Sequence, residues 1–93
     1  MSRGIRFGPD YRASLDREGV RPGSQAARSI GHTIGALADE DRLPGPDDAH
    51  GMAPSDAPIT QWAHARLVPR TGGLWLWYGA DDATLDVLAV GRV

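Results

Sequence analysis

The chain contains no cysteine and no lysine. Without cysteine there is no disulfide framework, no thiolate metal site and no cysteine nucleophile. Without lysine, all ten basic residues are arginine. A GC-rich coding sequence produces the same bias, so only the placement of the arginines carries functional information. A basic excess is missing too: ten basic residues face twelve acidic ones, a formal net charge of −2. Nucleic-acid-binding domains usually carry the opposite balance, because phosphate contacts supply most of their affinity. No apolar run approaches the roughly 20 residues of a membrane span. The first residues, MSRGIRFGPD, lack the apolar segment of a secretory signal. The expectation is a cytoplasmic protein with no membrane association.

What is present fits one domain over residues 1–93. Hydrophobic residues make up 41%, enough for a core, although a domain this small buries only a modest share of its surface. Gly4–Phe7 reads as a short strand ended by Gly8-Pro9-Asp10, and Asp10 suits the start of a short helix through Tyr11 and Leu15. Ser24 is a second N-cap candidate. From Gln25 to about Asp41, Ala26, Ile30, Ile34, Leu37 and Ala38 recur at helical spacing. Gly31 and Gly35 interrupt this helix, and close packing onto another element would explain them. The acidic run Asp39-Glu40-Asp41 sits where the helix dipole disfavours it, so that end is expected to fray.

Leu43–Pro58 holds four prolines and no periodicity and reads as a loop. The period then changes to two. Across Gln61–Pro69, Ala63, Ala65 and Leu67 alternate with Trp62, His64, Arg66 and Val68. Arg70-Thr71-Gly72-Gly73 is a turn, LWLWY the next strand, Gly79–Asp82 a second turn, and Thr84–Val90 the last strand. The expected fold is α+β: an N-terminal helical hairpin packed on a small antiparallel sheet.

The residue types that suit RNA chemistry are few. Histidine carries protons and arginine neutralises phosphate. His64 and Arg66 share a strand face by alternation, as a proton carrier beside a fixed charge. Arg70 lies beside a turn, where it can reach phosphate. Trp62, Trp75 and Trp77 can stack on bases, although strand aromatics more often serve a core. His32 lies mid-helix and reads as structural. Asp81-Asp82 reads as a turn rather than a metal pair. No motif for a metal, nucleotide or other cofactor is present.

The last third, ARLVPRTGGLWLWYGADDATLDVLAVGRV, resembles the RelE/ParE superfamily, the toxins of bacterial type II toxin–antitoxin systems. Tyr78, Asp81-Asp82 and Val90-Gly91-Arg92 carry the likeness. LADEDRLPGPDDAHGM is similar to the YafQ-type branch, in which a helix ending in Leu-Pro precedes a loop histidine, here His50. The resemblance implies a microbial-ribonuclease-like fold and a growth-arresting toxin held by a cognate antitoxin in a hetero-oligomer. It implies a catalytic role for His50 and a nucleic-acid contact for Arg92. His64 and Arg66 join His50 as catalytic candidates, and Arg70 and Trp75 join Arg92 as nucleic-acid contacts, from their own types and positions. Arg66 stands where the YafQ-type pattern has another histidine, a fixed charge in place of a proton carrier. Two further departures stand beside it. Trp75 occupies the place of the superfamily's strand arginine, and the basic and aromatic residues that follow in catalytic members have no counterpart after Arg92. Three readings therefore remain: a ribosome-dependent mRNA endonuclease, a ParE-like inhibitor of DNA gyrase acting by contact alone, and an inactivated domain that keeps the fold to bind a partner.

Overall fold

A computed structural model describes residues 2–54 and 62–92. The end of the expected Leu43–Pro58 loop and Gln61 lie outside the described residues. The elements are β1 (Gly4–Phe7), α1 (Tyr11–Arg17), α2 (Gln25–Asp39), β2 (Ala49–Met52), β3 (Trp62–Leu67), β4 (Trp75–Ala80) and β5 (Thr84–Gly91). They form one five-stranded sheet in the order β1-β5-β4-β3-β2.

The expected helical hairpin on a small antiparallel sheet is not what forms. The sheet is mixed, because β1 lies parallel to β5, with Ile5 opposite Leu85 and Phe7 opposite Val87. It also gains β2 from within the expected loop, antiparallel to β3. The helices do not close on one another. Both pack on β5, and a groove of about 600 Å³, lined by Tyr11, Leu15, Ile30 and Ile34, remains between them. The physical reason is the shortness of α1. Its seven residues offer too little apolar surface to clasp a helix of fifteen. Its buried Ser14 instead ties it to the sheet: the hydroxyl donates to the Tyr11 carbonyl at 2.6 Å and accepts from the Val90 N–H at 3.0 Å.

α2 follows its pattern. Ser24 caps it, its hydroxyl accepting from the Ala27 N–H at 3.2 Å. Ile30, Ile34, Leu37 and Ala38 are buried against Leu76 and Tyr78 of β4 and Leu85, Val87 and Val90 of β5. The other sheet face carries a smaller cluster of Ala53, Ala63, Ala65 and Trp77, flanked by Trp75 and Leu88. Leu88 is the extra residue of a bulge, since Trp77 pairs with Ala89 but Tyr78 with Val87. The Asp-rich turn is an Asx turn, in which Asp81 Oδ1 accepts from the Ala83 and Thr84 N–H groups at 2.8 and 2.7 Å.

Gly31 and Gly35 do not mark a close approach. A Cβ at either position would meet nothing within 4 Å. Each therefore only weakens the helix, and Gly31→Ala and Gly35→Ala should each stabilise the protein by roughly 1 kcal/mol. Urea unfolding checks this, and a loss of stability in either variant would contradict it.

Candidate functional site

The ladder places His50 of β2 opposite His64 of β3, and His64 opposite Tyr78 of β4. Directly opposed residues share a sheet face, so the three rings form one row across three strands. Ring centroids lie 4.9 Å apart for His50 and His64, and 5.7 Å for His64 and Tyr78. Trp62 extends the row, its ring 5.0 Å from His50. Exposure falls along it: Trp62 and His50 are exposed, His64 is half-buried and Tyr78 is fully buried beneath the helices. The histidines therefore stand where the helix-bearing face opens to solvent.

β2 escapes a reading of local sequence because AHGM has little strand propensity. The free edge of β3 supplies its hydrogen bonds. On the opposite face Gly51 lies over the Trp77 ring, and a Cβ there would make ordinary contact with it at 3.6 Å.

Arg66 is on the same face, but it is occupied. Its Nε and Nη2 donate to Asp48 at 2.8 and 3.0 Å. Its Nη2 also donates to Glu40 at 2.9 Å, and its Nη1 to the second Glu40 oxygen. The Tyr78 hydroxyl donates to Asp48, and the Gly45 N–H donates to the same carboxylate at 2.8 Å. The Asp48 side chain is only 2% exposed. Burial alone would raise its pKa, but hydrogen bonds from Arg66, Tyr78 and Gly45 outweigh this and hold it below the usual carboxylate range. The Tyr78 hydroxyl shifts upward, through burial and then through its bond to Asp48. The Arg66 pKa also rises, chiefly through the bonds to Glu40 and then Asp48. A Cβ at Gly45 would lie 2.5 Å from Arg66 Nη2, so a side chain there would push the guanidinium off its carboxylates.

One guanidinium against two carboxylates leaves this cluster a net negative charge. It anchors the C-terminal end of α2 and the approach to β2 onto the sheet. It does not present a free cation to a phosphate.

The nucleic-acid candidates lie elsewhere. Arg70 is exposed in the β3–β4 turn, with a left-handed backbone at φ 61°. Trp75 packs against the Trp77 cluster, on the face opposite the histidines. Arg92 follows the row Leu67–Trp75–Gly91. Its guanidinium donates to Glu18 at 2.7 Å and to the Thr71 carbonyl at 3.2 Å. The structure thus brings His50, His64 and Arg66 together and leaves Arg70, Trp75 and Arg92 apart from them.

Set beside protein-family models, curated proteins and solved structures, the chain has no significant match. Its own geometry carries the functional argument.

Sequence reading missed Glu40, Asp48 and the role of the Tyr78 hydroxyl. Glu40 was legible only as part of an unfavourable acidic run at a helix end, and that misfit was the available signal. The α2 terminus is in fact held: the Arg3 guanidinium, itself buried, donates to the Glu40 carbonyl and to the Leu37 carbonyl. Chemically, the histidine row offers two imidazoles in contact, each able to give or take a proton. Among the described residues no group of three or more His, Asp or Glu side chains is placed to hold a metal ion. None of the described helices is long and apolar enough to cross a membrane.

Proposed function

We propose that this chain is the toxin of a bacterial toxin–antitoxin pair of the RelE/ParE kind, acting in the cytoplasm as a ribosome-dependent mRNA endonuclease. The observation that carries the reading is the His50–His64 pair, with ring centroids 4.9 Å apart. Cleavage through the ribose 2′-hydroxyl needs one group to take a proton and another to return one to the leaving oxygen. Two adjacent imidazoles at a solvent-facing opening suit both steps. The buried Tyr78 beneath His64 supports the row from below. Arg66 is a positioning residue in this reading, because both faces of its fork are taken by carboxylates. The cognate antitoxin and the ribosome-bound mRNA are the partners.

A second reading is favoured by one specific observation. With Arg66 and Arg92 both bound to carboxylates, the reaction's phosphate charge has no evident partner in the cluster. That favours a toxin that inhibits DNA gyrase by contact alone.

The test is a cell-free bacterial translation reaction with mRNA ends mapped by primer extension. Wild-type protein should produce new ends at codon-spaced positions. His50→Ala and His64→Ala should each reduce cutting by roughly 100-fold or more while keeping native circular dichroism. Intact mRNA from a protein that still arrests growth would exclude cleavage and favour gyrase, to be followed by a supercoiling assay. Alanine at Arg66 is a poor probe, since its loss acts on the fold.

A further inference from the structure

We propose that His50 and His64 form a two-histidine chelate for a late first-row divalent ion, with Cu2+ bound most tightly and Zn2+ less so. The argument begins with spacing. A metal–imidazole bond is about 2.0–2.1 Å, and the ring centre lies about 1.1 Å behind the nitrogen. Two imidazoles on one ion then have ring centres roughly 4.5 Å apart at a right angle and roughly 5.2 Å apart at the tetrahedral angle. The observed 4.9 Å lies between these values. The ring centres are at chelating separation with their planes 30° apart, and the broad sp3–sp2 torsion of each histidine leaves its ring free to turn a nitrogen toward a shared ion.

The backbone makes the chelate preorganised. His50 and His64 are directly opposed in an antiparallel ladder, and β3 is held on its other side by β4. Imidazole suits Cu2+, Ni2+ and Zn2+, and affinities rise to Cu2+ along the divalent series. The neighbouring oxygen donors are committed. Asp48 is bound by Arg66, Tyr78 and Gly45, and the Tyr78 hydroxyl donates to Asp48. No third protein donor completes the set among the described residues, so water or a ligand fills the remaining positions.

The consequence is twofold. The ion bridges the edge strand β2 to β3, so binding stabilises the folded chain by linkage. It also occupies the imidazole lone pairs. On the reading of His50 and His64 as acid and base, and only on that reading, the same ion stops RNA cleavage.

The experiment is a titration of untagged full-length protein with CuSO4, followed by calorimetry, electron paramagnetic resonance and thermal unfolding. We expect one tight ion per chain, a signal from two nitrogen donors and a raised Tm. His50→Ala and His64→Ala should each weaken binding by at least about tenfold, because each turns a chelate into a single contact. His32→Ala, on the exposed side of α2, should bind like the wild type. Equal affinity in wild type and in a folded His50→Ala/His64→Ala variant would overturn the site. So would paramagnetic broadening in the wild-type NMR spectrum that falls on His32 and spares His50 and His64. Binding without any mRNA cleavage would uphold the chelate and remove the acid–base reading instead. Cleavage that persists when the site is saturated would break the link between them.

Discussion

Arg66→Ala is expected to destabilise the protein by about 3 kcal/mol. The substitution strips from Asp48, a carboxylate that is 2% exposed, the one cation paired with it among the described residues. It also releases Glu40 from the end of α2. The figure sits at the low end for a broken buried pair because Arg66 keeps 20% of its side-chain exposure and Glu40 36%. Arg66→Lys should recover only part of the loss, since an ammonium cannot fork to two carboxylates. Arg66→Ala/Asp48→Ala should cost less than the two single changes added, because the buried carboxylate leaves with its cation and only the part-exposed Glu40 loses its partner.

The pH dependence separates this account from a simple loss of packing. The folded-state pKa of Asp48 lies below its unfolded value of about 3.9. Its contribution is therefore present above about pH 4 and lost as the pH falls through the folded value. In Arg66→Ala only the Tyr78 and Gly45 bonds still oppose burial. The Asp48 pKa therefore moves up from its wild-type value, and acidification relieves the penalty of the lost cation. Urea unfolding at pH 7, 5 and 3 should show the variant's deficit shrinking toward acid. A deficit constant with pH would mean that Arg66 acts through its hydrocarbon stem alone.

The second large effect is at Tyr78, which is fully buried and joins the apolar core to the charged cluster. Tyr78→Ala should cost about 4 kcal/mol, a large share of the roughly 5–15 kcal/mol that holds a domain together. Most of its near-UV circular dichroism should be lost at room temperature. Tyr78→Phe keeps the ring and removes one donor from Asp48, at a cost of roughly 1–2 kcal/mol. If Tyr78→Phe proved neutral, the hydroxyl would not be needed to hold Asp48. If Tyr78→Phe proved as damaging as Tyr78→Ala, the core contribution of the ring would be small.

Much of the site was only half-legible before the fold was known. The alternation of His64 and Arg66 placed them on one face, and the structure agrees. It could not say that Arg66 would be shared by two carboxylates, because Glu40 and Asp48 are 26 and 18 residues away. Nothing in those acidic stretches distinguishes a buried anchor from a solvated one. His50 was reached through a likeness to a loop histidine, yet it lies on a strand. Its partner His64 could be known only from the register, and a one-residue slip would have put the two rings on opposite faces. The glycines misled in both directions. Gly31 and Gly35 suggested a close approach and face open space, whereas Gly45, inside the apparent loop, sits against a guanidinium.

The sequence by itself determined the local elements. The spacing of Ile30, Ile34 and Leu37, the Ser24 cap, the alternation after Trp62 and the Gly and Asp turns are properties of neighbours along the chain. The helix, cap and turn hydrogen bonds close within a few residues, and the apolar spacing marks which face of each element will be buried. The tertiary structure alone decided that β1 runs parallel to β5, that β2 forms on the edge of β3, and that α1 and α2 lean on the sheet instead of on each other. It alone decided that His50 meets His64 while Arg66 is held by Glu40 and Asp48. These outcomes depend on which free strand edge, buried charge and uncovered apolar face come together in space, and no local pattern encodes the partner that each will find.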